Sequence, residues 1–237
     1  MGIKFIVLLL TFTLQYSFGF SQGEVELWGM TKNGGPWDQG VIFRVDSNGE
    51  NIQIAFDFPF NEGRHPYGSL AFANNGKYYG MTSRGGANYN GVIFEFDALT
   101  EQCIKRHDFD SATSGNSPIG SLFLASDSLF YGMTEYGGAN NLGCIFSFNI
   151  SSFAVTKLFD FDSIHGSHPN GSLIQANDGF LYGITKYGGA SNSGVLFLFD
   201  IATNTYQKKI DFDDTLHGGN PSGSLVQDSF GKLYGIA

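Results

Sequence analysis

Residues 171–222 read GSLIQANDGFLYGITKYGGASNSGVLFLFDIATNTYQKKIDFDDTLHGGNPS, and the markers of this stretch recur along the chain. An aromatic residue followed by Gly occurs five times, and these glycines are 51, 52, 51 and 52 residues apart. A double Gly follows four of these pairs. The tripeptide Gly-Ser-Leu occurs four times, each time two residues after a Pro. Agreement of several markers at one period identifies a tandem repeat.

The copy at residues 171–222 predicts four antiparallel strands. The first turns at Asp178-Gly179, and the second ends at the double Gly. The third, residues 194–200, is apolar on both faces, as expected of a strand packed between two neighbouring sheets. The fourth, residues 205–213, is the most polar and is expected to be outermost. Four antiparallel strands in about 51 residues is the size of one β-propeller blade. The predicted fold is therefore an all-β propeller with four to five blades represented.

The composition agrees with this fold class. Gly supplies 33 of 237 residues, aromatic residues reach 16% and charged residues only 15%. A chain this apolar is not disordered, its Gly lacks the collagen period, and Gly at this frequency disfavours a helical bundle. Phe recurs at one equivalent position of the third strands, and these side chains are expected to stack between blades: Phe43, Phe94, Phe146 and Phe197.

Two known repeats are similar to this sequence. Residues 181–206 resemble a kelch blade, with a double Gly, a third strand ending in Asp and an aromatic after a Thr-Asn turn. More specifically, the order YG-x-T-x-x-GG, GV-I-F, DFD and G-x-x-P-x-GSL over about residues 24–237 resembles the GloVer repeat of bacterial exported proteins. That resemblance implies export and a variable C-terminal anchoring or sorting domain. It implies no activity.

The N-terminal residues 1–22 are predicted to be a secretory signal peptide, with Lys4 before a short apolar segment. Residues 23–237 are predicted to form the propeller array, with repeats at about 23–67, 68–119, 120–170 and 171–222 and a partial copy at 223–237. The last copy stops inside a second strand, so we expect further blades and an anchoring domain to be missing from this chain. The expected location is secreted or at the cell surface, without membrane insertion after signal removal.

The net charge of -9 argues against two classes of partner. No run of Lys or Arg is present, so nucleic acid and anionic membrane surfaces are not expected partners. Cys103 and Cys144 lie in predicted strands of different repeats, which favours two buried, unpaired thiols. A single disulfide between them remains the alternative.

The second-to-third loops and the blade-to-blade loops are the longer ones and are predicted to share one face, which is the candidate site. The double-Gly loops have equal length and different contents, as expected of a contact surface for carbohydrate or peptide. The alternative is that their Asn and Ser side chains satisfy the backbone of the turn. The candidate ligand-binding residues are Trp37, Asp38, Tyr89, Asn90, Asn140, Asn141 and Asn192.

Carboxylates and histidines recur in the blade-to-blade loops. Paired carboxylates suit Ca²⁺ or acid–base chemistry. However, the first Asp of each loop recurs in every repeat, which favours a backbone-capping role. We therefore assign no catalytic residue, metal site or cofactor, and Ca²⁺ stays an alternative. The residues are Asp57, Asp108, Asp160 and Asp211, the second carboxylates Asp110, Asp162 and Asp213, and His65, His165, His168 and His217.

Three hypotheses for function follow. The first is a non-enzymatic, exported propeller that presents a binding surface for glycan or protein. The second is a carbohydrate-active enzyme, a hydrolase or lyase, with its site in the channel, which requires an acid, base or metal ligand that is not repeated. The third is a purely structural surface spacer.

Overall fold

The computed structural model describes residues 26–216 and 218–237, which form five antiparallel β-sheets. The predicted signal peptide at residues 1–22 and His217 lie outside the described residues. Within the described part of the chain, no helix is long and apolar enough to cross a membrane.

Each sheet corresponds to one copy of the repeat. The first contains β1 (Glu26–Thr31), β2 (Val41–Asp46) and β3 (Gln53–Asp57). The second contains β4 (Ala71–Phe72), β5 (Tyr78–Thr82), β6 (Val92–Asp97) and β7 (Gln102–Asp108). The third contains β8 (Phe123–Leu124), β9 (Phe130–Thr134), β10 (Cys144–Phe148) and β11 (Val155–Asp160). We call each sheet a blade and number the blades along the chain.

The fourth blade contains β12 (Ser167–Pro169), β13 (Ile174–Gln175), β14 (Leu181–Tyr187), β15 (Val195–Asp200) and β16 (Thr205–Asp211). The fifth sheet is a hairpin of β17 (Val226–Gln227) and β18 (Leu233–Tyr234). Apart from β12, strands pair in sequence order within a blade, and the polar fourth strand lies at the outer edge as predicted. The sequence did not predict β12, which pairs with β14 and gives the fourth blade a fifth strand.

The third strands form the centre of the core. In β6 and β10 every residue up to the last Phe is buried, because each strand is covered on both faces by neighbouring blades. Phe94, Phe146 and Phe197 are buried between blades as predicted. Phe43, their counterpart in the first blade, is only half-buried.

The Gly-Ser-Leu tripeptides bring the blades together around one axis. The backbone N–H of each Ser donates to the hydroxyl of the Ser in the next repeat: Ser69 to Ser121 at 2.7 Å, Ser121 to Ser172 at 2.8 Å and Ser172 to Ser224 at 2.9 Å. A Cβ at Gly68, Gly120 or Gly171 would overlap the backbone of the equivalent Gly in the next repeat. Only Gly allows this close approach, which explains why Gly recurs there.

Both cysteines are free. Cys144 is buried as predicted, whereas Cys103 is half-buried, because it lies on the outermost strand of its blade. Burial raises the pKa of the Cys144 thiol to about 11 and also raises that of Cys103.

Candidate functional site

The two sets of longer loops lie on one face, as predicted, and they are bound to each other. Each blade-to-blade loop contains the Pro that precedes Gly-Ser-Leu, and each double-Gly loop ends at a Gly directly before the third strand. In every repeat, the N–H of the residue before that Pro donates to the carbonyl of the residue before that Gly. The bonds are His65 to Gln39 at 2.7 Å, Ser117 to Asn90 at 3.0 Å, His168 to Leu142 at 2.9 Å and Asn220 to Ser193 at 2.7 Å. We call this face, formed by the double-Gly loops and the blade-to-blade loops, the long-loop face.

Where the two loops cross, the Pro of the blade-to-blade loop packs against the Gly that ends the double-Gly loop, and this contact occurs in all four repeats. A Cβ at Gly40 would come within 2.7 Å of the Pro66 ring, and a Cβ at Gly194 within 2.8 Å of Pro221. Both glycines also have positive φ. The contact leaves no room for a side chain and so fixes how the two loops cross. The face is therefore a rigid frame built from backbone.

The double-Gly loops use three of the predicted site residues internally. The side-chain oxygen of Asp38 accepts the N–H of Gly34 at 2.8 Å. Asn141 and Asn192 accept the N–H of the equivalent Gly at 3.1 and 3.0 Å. All three have φ near +55°, a conformation that Asn and Asp tolerate better than most residues. These side chains satisfy the turn backbone.

The Asn140 side chain is also bound to the scaffold, and Asn90 contributes its backbone carbonyl. The Asn140 amide donates to the carbonyl of Phe161 at 2.9 Å, and Asn88 makes the same bond to Phe109 at 3.0 Å. Asn90 is half-buried, and its carbonyl is the acceptor for Ser117 in the bond between the two loops.

Trp37 and Tyr89 differ from the other predicted residues. Their side chains are 65% and 59% exposed, and neither ring contacts another aromatic ring or a cation among the described residues. Tyr89 stands where the other three repeats carry the capping Asp or Asn, and it keeps the positive φ of that position, at 59°. The loop thus holds a large side chain in a backbone conformation that favours small polar ones.

In three of the four repeats the first carboxylate of the blade-to-blade loop caps a double-Gly loop, which confirms the structural role there. Asp108, Asp160 and Asp211 accept the N–H of Ala87, Ala139 and Ala190 at 2.7, 2.9 and 3.0 Å. Each also pairs with the Lys three residues earlier, at 2.9 to 3.0 Å. Asp57 departs from this pattern, because its repeat has Pro36, which lacks an N–H, in place of the Ala and Ile54 in place of the Lys. The buried Oδ1 of Asp57 has no hydrogen-bond partner among the described residues.

The second carboxylates close the turns that follow. Hydrogen bonds from the Thr113 backbone and hydroxyl hold the pKa of Asp110 below its ordinary value. Asp162 accepts the N–H of His165 at 2.7 Å and contacts its Nδ1 at 2.9 Å. His168 lies instead against the rings of Tyr136 and Tyr187. Across residues 26–216 and 218–237, no three His, Cys, Asp or Glu side chains are placed to hold one metal ion.

The sequence analysis named His168 but missed Glu135 and Lys186, the two charged residues associated with it on this face. His168 is buried enough to have a lowered pKa, and Lys186 lowers it further. Burial raises the pKa of Glu135, while the charge of Lys186 opposes that shift. Glu135 and Lys186 occupy equivalent positions in the third and fourth repeats, where the first two carry Lys32 and Ser83. Comparing the repeats position by position detects this departure.

A second group missed by the sequence analysis is buried between blades. Glu95 is 8% exposed, accepts the Tyr79 hydroxyl at 2.7 Å and pairs with Arg106 at 3.0 Å. Burial alone raises the pKa of Glu95, but the hydrogen bonds from Arg106 and Tyr79 outweigh it and lower the pKa. The Arg106 guanidinium covers the Phe153 ring of the next blade at 4.1 Å. These contacts tie two strands of the second blade to the third blade, which is a structural role.

The axis holds a cavity of about 350 Å³ lined by the Gly-Ser segments of all four repeats. Tyr67 and Asn170 are its larger polar side chains, and no Asp, Glu, Lys, Arg or His lines it. Lys32 lies 4.5 Å from the centre of the Tyr67 ring.

The arrangement of these sheets resembles solved propellers. One is the extracellular domain of a protein assigned as a hybrid two-component system of B. thetaiotaomicron (TM-score 0.57, 16% identity, 89% of this chain and 24% of that chain). Another is the nidogen/laminin complex (TM-score 0.57, 16% identity, 86% of this chain and 66% of that chain). A third is the periplasmic gluconolactonase of Pseudomonas aeruginosa (TM-score 0.56, 11% identity, 87% of this chain and 61% of that chain). This chain thus spans between about a quarter and two thirds of their lengths. No protein of curated function matches it.

The radial antiparallel blades, with their loops collected on one face, define a β-propeller repeat protein. The chain belongs to the Gloeobacter/Verrucomicrobia repeat family, whose model matches residues 16–237. At these identities the solved structures establish the fold and no activity.

Proposed function

We propose that this protein is an exported β-propeller whose long-loop face binds a glycan through Trp37 and Tyr89. The observation that carries the proposal is the exposure of these two rings, 65% and 59%, on loops where Asp38, Asn140, Asn141 and Asn192 bond to the backbone. Exposed aromatic rings on rigid loops offer a large contact area with little loss of side-chain entropy on binding.

The positions of the two rings support a shared contact. Trp37 and Tyr89 stand at adjacent positions of equivalent loops in the first and second blades. The loop frame repeats from blade to blade, so both rings lie on the same face. An extended ligand would therefore meet them in succession.

Charge narrows the ligand class to a neutral glycan. The chain carries a net charge of -9, which repels polyanions, and the double-Gly loops contribute only Asp38 as a charged side chain between their Gly positions. Stacking of an aromatic ring on a sugar face needs no charge on either partner. A neutral glycan satisfies both conditions.

Export is part of the proposal. The pattern of residues 1–22 is typical of a signal peptide, and similar folds include an extracellular domain and a periplasmic protein. A chain outside the cytoplasm meets polysaccharides of the cell surface and the environment.

A glycan array probed with the full chain tests the proposal. We expect binding to neutral oligosaccharides that is lost in Trp37→Ala and Tyr89→Ala with no change in melting temperature. Leu99→Ala is the matched control, because Leu99 is 96% exposed in a turn between third and fourth strands, at the opposite face. An array without signal, or equal binding by all three variants, contradicts the proposal. Protein capture that survives both substitutions contradicts it as well.

The Glu135, Lys186 and His168 group favours a second candidate function, a carbohydrate-active enzyme. A carboxyl whose pKa is raised by burial is suited to donate a proton to a leaving group. Release of reducing ends from a polysaccharide, abolished by Glu135→Gln, supports this candidate. Turnover unchanged by that substitution, or no turnover by the wild-type chain, counts against it.

A further inference from the structure

Two arginines stand opposite each other on the long-loop face. Arg64 lies in the first blade-to-blade loop, and Arg84 lies directly before the second double Gly. They form an isolated antiparallel bridge with both backbone hydrogen bonds, at 2.8 and 3.1 Å. The side chains of such an opposed pair leave the backbone on the same side, from Cα atoms about 5.5 Å apart. Like charges directly opposite each other are destabilising unless a counter-charge is present.

The arginine pair is a departure from the repeat. The third and fourth repeats form the same opposed pairs with Asn116 and Tyr136 and with Ser167 and Tyr187. Neither of these pairs contains a cation. The blade fold therefore does not require a cation at either position, and the packing of the blades does not explain the arginines.

Neither guanidinium has an anionic partner among the described residues. The chain has four arginines, and the other two, Arg44 and Arg106, each pair with a Glu at 3.0 Å. In the described part of the chain, no salt bridge or side-chain hydrogen bond involves Arg64 or Arg84, and the Nε of Arg64 is buried without a partner. Two permanently charged groups thus keep their hydrogen-bond donors unused.

The surroundings hold the two arginines in place. The guanidinium carbon of Arg64 lies 4.4 Å from the centre of the Phe60 ring. Stacking of this kind covers the face of a guanidinium and leaves the N–H donors in its plane available. A Cβ at Gly85 would come within 2.8 Å of the Cα of Gly63, so the two chain segments are in contact beside the bridge. Arg84 is exposed and Arg64 is half-buried, which leaves the pair open to solvent on one side.

The pair lies between two double-Gly loops. His65, the neighbour of Arg64, donates its N–H to the carbonyl of Gln39 in the first loop at 2.7 Å, and Arg84 begins the second loop. The position is therefore fixed by backbone on both sides. A rigid donor set of this kind binds an anion with little loss of side-chain entropy.

We propose that Arg64 and Arg84 bind a compact oxyanion, which is either an inorganic phosphate or sulfate ion or the anionic group of a small molecule. A guanidinium donates two parallel N–H bonds to two oxygens of one such group. The net charge of -9 repels polyanions, but exposed charges more than about 8 Å away are largely screened at physiological ionic strength. A compact anion therefore responds mainly to the two arginines. The site uses neither Trp37 nor Tyr89, so it does not rest on the glycan proposal.

Isothermal titration calorimetry of the full chain with sodium phosphate, in a chloride buffer of low ionic strength, tests the site. We expect one saturable site per chain. Arg84→Gln should weaken binding at least about tenfold, and Arg84→Lys, which keeps the charge without the paired donors, should weaken it less. Lys209→Gln is the matched control, because it removes one exposed positive charge from the outermost strand of the fourth blade and should bind as the wild type does.

Thermal melts separate binding from folding. Without phosphate, Arg84→Gln should melt no lower than the wild type, because it removes one of two opposed like charges. Saturating phosphate should raise the melting temperature of the wild type and leave that of the variant unchanged. Titration with sulfate and with glucuronate identifies the source of the anion: tighter binding of the inorganic ions assigns a free ion, and tighter binding of glucuronate assigns the anionic group of a small molecule.

Three results would overturn the proposal. The first is a wild-type chain that shows no saturable binding of phosphate, sulfate or glucuronate. The second is equal affinity in the wild type and Arg84→Gln. The third is an equal loss in Lys209→Gln, which would show attraction by overall charge alone. Trp37→Ala should bind phosphate as the wild type does, so the anion site and the glycan site are tested separately.

Discussion

The phenyl ring of Phe146 lies over the Cα of Gly132, its partner on the neighbouring strand. The two residues are in register across the β9–β10 pair, and a Cβ at residue 132 would come within 2.5 Å of the ring's Cζ. Gly29 and Phe43 form the same pair, with a Cβ distance of 2.6 Å, and the other two blades repeat it. In four of the five aromatic-Gly markers, the Gly therefore leaves space for the ring of a third-strand Phe.

Replacing Gly132 by Ala should destabilise the fold, although the φ of this residue is not positive. The added methyl group forces the buried Phe146 ring out of its position between blades, and overpacking of this kind costs about 1–3 kcal/mol. Urea unfolding followed by circular dichroism measures the change in the free energy of unfolding.

A double-mutant cycle isolates the contact. Phe146→Leu vacates the space over residue 132, so Gly132→Ala should cost less in that background than in the wild type. Additive losses in the double variant would show that the ring and the glycine act independently, contrary to the geometry.

Glu95→Gln should destabilise the protein at neutral pH and have a smaller effect in acid. The folded-state pKa of Glu95 is lowered, so its carboxylate stabilises the fold above the ordinary pKa of Glu, about 4.3, and loses this contribution as pH falls through the folded pKa. Loss of the charged hydrogen bonds to Arg106 and Tyr79 should cost about 2 kcal/mol at pH 7.

The free energy of unfolding measured from pH 7 down to pH 3 checks this prediction. Glu62→Gln is the control, because Glu62 is exposed and its carboxylate makes no hydrogen bond to a described residue. A difference between Glu95→Gln and wild type that stays constant over this range contradicts the assigned role.

Asp108→Ala should destabilise the fold more than Asp57→Ala. Removing Asp108 leaves the Ala87 N–H without its acceptor and breaks the pair with Lys105, at a cost of about 1–3 kcal/mol. Asp57 makes neither contact, because its repeat has Pro36 and Ile54 at those positions. Thermal melts of the two variants give the comparison, and equal losses would remove the capping explanation.

The two thiols should be unreactive in the native state. Burial raises the pKa of Cys144 to about 11 and raises that of Cys103, so the thiolate that reacts is scarce near neutral pH. Labelling with Ellman's reagent should be slow in buffer and rapid, at two thiols per chain, in denaturant. Rapid native labelling, or a denatured chain without free thiols, contradicts this prediction.

Much of the blade could be predicted from the sequence because it repeats. The 51- to 52-residue period and the apolar third strands predicted the strand order and the buried positions of Phe94, Phe146 and Phe197. The recurring Asp indicated a backbone cap, and the structure confirms one at Asp108, Asp160 and Asp211. A feature present in every copy must serve the fold, which all copies share.

Features of single repeats were harder to predict. The β12 strand of the fourth blade is defined by two residue pairs with β14. At the equivalent place the second and third blades have only one isolated bridge each, and the local sequence does not show which blade will form a strand there. Asp38 and Trp37 are neighbours in one loop, yet one side chain turns to the backbone and the other to solvent, because the loop's N–H groups attract an oxygen acceptor. The Glu135 and His168 group forms only when loops of two blades meet.

The fluorescence of Trp37 tests the proposed function most directly. Trp28 is the only other Trp, so the Trp28→Phe variant leaves Trp37 as the sole reporter. Titration with a neutral oligosaccharide selected on the array should change the Trp37 emission with saturation and shield the ring from acrylamide quenching. Acrylamide quenching that is unchanged at saturating ligand would contradict glycan binding through Trp37.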